Sequence, residues 1–283
     1  MQTLAQINQS LDESTSLKYI AQAYGEIAAV KLQKIRSGIE KNRVFFQDVT
    51  GVYRAVRVAA AKRNIELKNA KKRGTVSIII TSNHRFYGTL EEQLIKYFIV
   101  NTTKFRTDRV VIGKTALEFL NTMHYSHPYQ DMIFKEDLPD ISELRNLITN
   151  LMDYEQILVY YSRMQSVMLQ EPHVVDILQQ PPEHYQETTG RGLEYIFEPE
   201  LDKVLNFFNG QIATLLFEQT FLESELARTA ARLISMNQAQ DNADSLIKEQ
   251  KISLNQAKRS LDNTRLLNTI ATILSRRDLG YAI

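Results

Sequence analysis

The sequence contains no cysteine, which excludes disulfides, thiolate metal sites and cysteine nucleophiles. It has no proline before Pro128 and none after Pro199, so all six lie in the middle of the chain. Glycine is sparse in both flanks. No apolar run approaches the roughly 20 residues that a membrane-spanning helix needs. The opening MQTLAQINQS lacks the basic and apolar regions of a signal peptide, so a cytosolic protein is the expectation. The net charge of +1 over 283 residues gives no excess of one sign that would point to nucleic acid or an anionic membrane. At 43% hydrophobic and 24% charged, the composition suits a soluble globular chain, and the length allows one or two domains.

What is present is two long proline-free flanks around a region rich in turn residues. This predicts two long helices and a compact α/β insert, with boundaries at 1–73, 74–199 and 200–283. In the first flank, apolar residues recur at three- and four-residue steps: Ile20, Ala23, Ile27 and Val30, then Phe45, Val49, Val52, Val56 and Ala59. That spacing predicts the seam of a coiled coil. Gly25, Gly38 and Gly51 each weaken a helix by about 1 kcal/mol relative to alanine, which leaves room for bends or a break near them. The basic run from Lys68 to Arg73, with Gly74 after it, reads as a helix end whose cations offset the macrodipole.

The last flank carries one glycine, Gly210, before Gly280. An unbroken helix over 200–278 would be about 115 Å long at 1.5 Å per residue. Its stripe runs through Leu201, Leu205, Phe208, Ile212, Leu215, Leu226, Ala230, Leu233, Ile247, Leu254, Ala257 and Leu261. A long helix of this kind is stabilised mainly by a packed partner. The first flank is the natural partner, in antiparallel sense. Several alanines in the seam would let the two backbones approach closely.

In the insert, β-branched runs at 76–81, 109–113 and 156–161 predict strands of an open, mostly parallel sheet, with further strands at 166–170 and 194–197. Helical patterns span 89–100 and 115–123. Asp140 with Glu143 has the spacing of a capping box opening a helix through about 152. The polar stretch 179–190 reads as a mobile loop.

Sequence signals of chemistry are weak. His124 and His127 lack further ligands at metal-site spacing and read as incidental loop residues. Gly113-Lys114-Thr115 mimics the end of a phosphate loop, but the first glycine is missing at the required offset. No nucleophile elbow or H-E-x-x-H occurs. A small-molecule enzyme would have its pocket at the C-terminal strand ends, where the sequence places Asn83, His84 and Arg85. In that reading the helices would be a dimerisation arm.

Five segments in order carry a family resemblance. Ile20 to Leu32 is similar to I-T-K-A-M-x-M-V-A-A-S-K-L. Thr81 to Leu90 is similar to T-S-D-x-G-L-C-G-G-L. Val159 to Pro172 is similar to V-Y-N-x-F-x-S-x-x-x-Q-x-P, and Tyr195 to Pro199 to Y-x-Y-E-P. Residues 224–243 are similar to S-E-x-A-A-R-M-x-A-M-x-x-A-T-D-N-A, keeping Glu225, Ala231, Arg232, Met236, Ala239, Asp241, Asn242 and Ala243. Together these motifs, which cover nearly the whole chain, resemble the gamma subunit of F-type ATP synthases.

The resemblance implies a non-catalytic rotor shaft without cofactor or resident metal. It would be peripheral on the cytoplasmic side of the membrane, and would couple ATP synthesis or hydrolysis to rotation of a membrane ion-translocating ring. The implied partners are the alpha- and beta-type subunits of a catalytic hexamer, a small epsilon-type subunit and the membrane rotor ring, with no nucleic acid. By family position Lys31, Lys34, Lys258 and Arg259 are expected to face the catalytic ring, and Tyr195 and Glu198 the membrane ring.

The departures are considerable. Asn8 and Ser10 replace basic residues, and Tyr24 replaces a methionine. Asn83-His84-Arg85 replaces D-R-G, Thr89 replaces a glycine, and Arg265 and Asn268 stand where glutamates are expected. They point to a divergent member, or to a specialised F-like ATPase motor that does not serve ATP synthesis.

Overall fold

The structure, a computed structural model, describes residues 3–62, 73–178 and 201–280. In chain order the elements are α1 (Leu4–Lys62), β1 (Arg73–Ile80), α2 (Leu90–Thr102), β2 (Asp108–Ile112), α3 (Lys114–Thr122), β3 (Gln130–Met132), α4 (Ile141–Leu151), β4 (Tyr154–Met164), β5 (Gln170–Asp176) and α5 (Leu201–Gly280). They form two compact units, Ala28–Leu233 and Met1–Ile27 with Ile234–Ile283.

The first unit holds a five-stranded sheet in the order β3-β2-β1-β4-β5. β1 pairs in parallel with β2 and β4, β2 with β3, and only β5 runs antiparallel, against β4. Both faces are covered, which is why the strands are almost continuously apolar. Val76, Ile78 and Ile80 of β1 join Ile157, Val159 and Tyr161 of β4 on one face, against Leu144, Leu147 and Leu151 of α4 and Ala213, Phe217 and Phe221 of α5. Their period-2 neighbours Ile79 and Tyr160 meet Leu94, Ile95 and Phe98 of α2 and Ala116 and Leu120 of α3 on the other. α4 opens with the expected capping box: Ile141 N–H donates to Asp140 Oδ1 (2.7 Å) and Asp140 N–H to Glu143 Oε2 (2.9 Å).

Gly113 has no substitute at its position. Its φ is +101°, and a Cβ there would lie 2.4 Å from the Thr81 carbonyl oxygen. This close approach lets β2 turn directly into α3.

Three expectations are corrected. Residues 166–169 form the tight turn joining β4 to β5, closed by bonds between Ser166 and Leu169 (3.1 and 3.2 Å), so the fourth strand of the series begins at Gln170. β3 is an added edge strand too short to leave a periodic signature. Gly74 lies inside β1 rather than beyond a helix end, because Arg73 already donates its N–H to Asp153 O (2.7 Å) in register with β4. α1 is continuous through Gly25, Gly38 and Gly51. The strand expected at 194–197 and the loop at 179–190 fall outside the described residues.

α1 and α5 pack along each other in antiparallel sense. In the second unit, Lys18 Nζ bonds Asp244 Oδ1 (2.6 Å), and Gly25 lies against Met236 and Asn237. The buried positions of α1 there are Ile7, Ser14 and Ala21, and the series continues with Ala28 and Ile35 in the other unit, one every heptad. Gly25 is also buried, four positions after Ala21. On α5, Met236 and Ala243 are buried, and Ile247, Gln250, Leu254 and Ala257 are half-buried.

The expected first stripe is therefore on the wrong face. Ile20, Ile27 and Val30 are 53%, 60% and 69% exposed, and Ala23 is exposed as well. Between Ser14 and Ala28 the helices meet through small residues, whose short side chains allow the close approach, and the large Ile20, Ile27 and Val30 are left outside. Farther along, Phe45 is exposed, Val49 half-buried and Val56 fully buried. The start of α1 is fixed by reciprocal bonds, Thr3 N–H to Gln6 Oε1 (2.9 Å) and Gln6 N–H to Thr3 Oγ1 (3.3 Å).

Candidate functional site

The C-terminal ends of the parallel strands are where an α/β enzyme would hold its ligand. Here that crevice is built shut. Asn83 is spent on the fold: its N–H donates to Asp137 Oδ1 (2.7 Å), its side-chain amide to Phe134 O (3.0 Å), and its Oδ1 accepts from Lys114 N–H (3.2 Å). The N-terminal amides of α3 are likewise occupied, Thr115 N–H by Ser82 O (3.1 Å) and Ala116 N–H by Thr81 Oγ1 (3.3 Å). The backbone N–H groups of residues 114–116 are thus not free to cradle a phosphate, which removes the basis of the Gly113-Lys114-Thr115 resemblance. Arg85 pairs with Glu118 at the surface (2.8 Å). His84 is exposed.

The crevice is filled by α5. Ala227 and Ala231 pack on Tyr87 and Leu90. Arg232 lays its guanidinium over the Tyr87 ring at 4.3 Å and donates to Arg85 O (3.1 Å). Arg228 is 1% exposed, yet its guanidinium is well bonded: Nη2 and Nε to Glu225 Oε2 (2.7 and 3.3 Å) and Nη1 to Ser224 Oγ (2.9 Å). Glu225 offers its other oxygen to Lys31 of α1. Glu91 and Asp137 lie close enough for their charges to favour the Arg228 cation. Burial and the Asp137 charge push the Tyr87 phenol above its ordinary range, and its hydroxyl donates to Asp137 Oδ2 (3.3 Å).

Among the residues singled out from the sequence, Lys31 is thus partly drawn inward, 40% exposed and paired with buried Glu225. Lys34, Lys258 and Arg259 are exposed on their helices. Tyr195 and Glu198 lie outside the described residues. Sequence reasoning missed Arg228 altogether. Its only signal was a pair of charges, Glu225 and Arg228, at i,i+3 inside an alanine-rich stretch of helix.

The larger feature missed is apolar. Leu17, Ile20, Tyr24 and Ile27 are exposed along one flank of α1. In the same unit, Leu266, Leu267, Ile270, Ile273 and Leu274 of α5 are 53–66% exposed, past the last half-buried seam position, Ala257. At about 100° per residue these five fall roughly opposite the seam formed by Ala243, Ile247, Gln250, Leu254 and Ala257. Every residue from Lys258 to Leu274 is exposed, so this stretch of α5 lies beyond the seam and none of its sides is covered by α1. Among the described residues no helix is long and apolar enough to cross a membrane, and no group of three metal-ligating side chains occurs. The exposed apolar side chains of α1 and α5 offer surfaces for protein partners.

Comparison with known proteins agrees with this architecture. A family model described as ATP synthase matches residues 3–261. The chain is similar to the ATP synthase gamma chain of Rubrobacter xylanophilus, with 24% identity over 96% of this chain and 97% of that one. It is similar to that of Staphylococcus saprophyticus with 22% identity over 92% and 94%. Its fold is similar to a chain in the cryo-EM structure of the Euglena gracilis mitochondrial ATP synthase comprising OSCP, F1 and c-ring (TM-score 0.58, 14% identity, 90% of this chain and 97% of that one). It is also similar to one in the central stalk and c-ring of the Tetrahymena thermophila enzyme (TM-score 0.57, 15% identity, 78% and 99%).

Proposed function

The chain belongs to the ATP synthase gamma-chain family, and from this premise we propose how its surfaces serve a rotor. As a gamma subunit it is a non-catalytic part of the central stalk, and a divergent one, given the low identity of these full-length relatives. The paired ends of α1 and α5 turn inside a hexamer of alpha- and beta-type subunits. The α/β domain lies toward an epsilon-type partner and the membrane rotor ring. The chemistry of ATP belongs to the hexamer. This chain supplies asymmetry, biasing each catalytic subunit toward a different conformation by differential contact.

The observation that carries the reading is the apolar stripe of α5 from Leu266 to Leu274, exposed on a stretch of helix beyond the seam. Five large apolar side chains exposed together on one side of a helix mark a surface for a partner, and a lined bore provides one without fixed directional bonds. Lys34, Lys258 and Arg259 are the proposed contacts to acidic loops on the catalytic subunits, together with Lys31, whose ammonium also pairs with Glu225. Exposed ion pairs of about 0–1 kcal/mol can form and break as the shaft turns. Tyr195 and Glu198 are the proposed contacts to the membrane ring.

Affinity isolation of the tagged chain from its native host tests the assignment. Co-isolation with ATP-hydrolysing alpha- and beta-type subunits is expected. A chain that isolates without them overturns the assembly proposed here.

A further inference from the structure

Burying a charge is costly unless it is paired, and a buried ion pair is often no more stabilising than apolar residues of the same volume. The first unit nevertheless buries Glu225 and Arg228 to 1% exposure each, on the α5 face that meets α1 and the strand-end loops. The apolar contact at that face is made by Ala227 and Ala231 against Tyr87 and Leu90. Alanines give close approach but little interdigitation, so they resist separation better than sliding.

The ionic contacts are directional where the alanines are not. Glu225 divides its oxygens, Oε1 to Lys31 of α1 and Oε2 to Arg228. Arg228 is fixed by three of its nitrogens, with Glu91 of α2 and Asp137 of the loop before α4 as its other acidic neighbours. Glu91 is itself anchored, accepting from Ser82 N–H (2.7 Å), and Asp137 from Asn83 N–H (2.7 Å). One turn further on, Arg232 grips Tyr87 and Arg85 O. The chain of contacts thus runs from α1 through α5 into the loop that follows β1.

We propose that Glu225 and Arg228 are positioning residues that key α5 and α1 to the α/β domain, so that the helices and the sheet rotate as one piece under load. This rests on the rotor reading above. The key is needed where torque enters and leaves the molecule through different parts. A shaft that only had to sit in a bore would be served as well by packed apolar residues.

The test uses the complete complex, reconstituted in vesicles. ATP hydrolysis and ATP-driven ion uptake are measured together for wild type, Glu225→Gln, Arg228→Lys and Arg228→Met. Expected for Glu225→Gln and Arg228→Met is hydrolysis within about twofold of wild type with ions moved per ATP reduced severalfold. Arg228→Lys should recover part of the ratio, because it keeps the charge but not the forked geometry. A residue that merely stabilised the fold would lower assembly, hydrolysis and uptake together and leave the ratio alone. Should Arg228→Met fail to assemble, the near-isosteric Glu225→Gln decides. An unchanged ratio in Glu225→Gln complexes overturns the proposal while leaving the rotor assignment intact. A wild-type chain that fails to assemble with a hexamer overturns both.

Discussion

Two buried glutamates of the first unit respond to pH in opposite ways. Burial alone would raise the Glu225 carboxyl, but Arg228 and Lys31 more than offset it and hold it below the ordinary 4.5. Its native form releases the proton more readily than the unfolded chain does. The stabilisation it brings is therefore complete above pH 4.5 and is lost as pH falls through the lowered native value. Glu91 is the reverse. Burial raises it above 4.5, and the Arg228 charge with the Ser82 bond only partly counters this. Folding there takes up a proton, so stability declines as pH rises from 4.5 through the raised value. At pH 7, Glu225→Gln should cost about 3 kcal/mol, the scale for breaking one side of a buried ion pair. Glu91→Gln should cost nothing or stabilise, because a glutamine oxygen can still accept from Ser82 N–H. Thermal unfolding of the isolated chain from about pH 2.5 to pH 8 checks both, Glu225 below pH 4.5 and Glu91 above it. The Glu225→Gln deficit should shrink toward the acid end, and a deficit that does not depend on pH contradicts the assignment. Neither glutamate was legible in the sequence as buried, because a charge on a helix is normally a solvated one.

The elements were largely legible, and for physical reasons. Strands buried on both faces show as β-branched runs, and α4 announces itself through Asp140 and Glu143. What failed was the choice of face on α1. Two apolar series run along that helix at coiled-coil spacing. One is large (Ile20, Ile27, Val30), the other small (Ala21, Gly25, Ala28), and periodicity cannot say which meets a helix of the same chain. The structure selects the small series. Gly25 then has a specific consequence. A Cβ there would lie 3.7 Å from Met236 Cβ and from Asn237 Oδ1, ordinary contact distances. The close approach tolerates one more carbon, while glycine inside a helix is entropically costly. Gly25→Ala should therefore stabilise the helix pair by about 0.5–1 kcal/mol. A raised midpoint of thermal unfolding is the expected result. A lowered midpoint would mean that the seam has no room for a methyl group.

For the whole molecule, the apolar residues left outside matter more than those buried. Composition alone hides them, since an even net charge and 43% hydrophobic residues suit a self-contained protein. Only the helix pairing reveals which apolar side chains remain without cover. Leu266, Leu267, Ile270, Ile273 and Leu274 contribute little to the stability of the isolated chain, being more than half exposed. If their partner is the bore of a hexamer, changing all five to glutamine separates two properties that usually fall together. The isolated chain should unfold at nearly the same temperature, because glutamine is a good helix former and no packed contact is lost. Its affinity for a hexamer of alpha- and beta-type subunits, measured by co-sedimentation, should fall at least tenfold. Exchanging Lys258 and Arg259 for glutamine instead should weaken binding mainly at low salt, because exposed charge pairs are screened within about 10 Å at 0.1 M ionic strength. Binding lost in the charge variant but kept in the glutamine-stripe variant would move the grip on the ring from the apolar stripe to the basic residues.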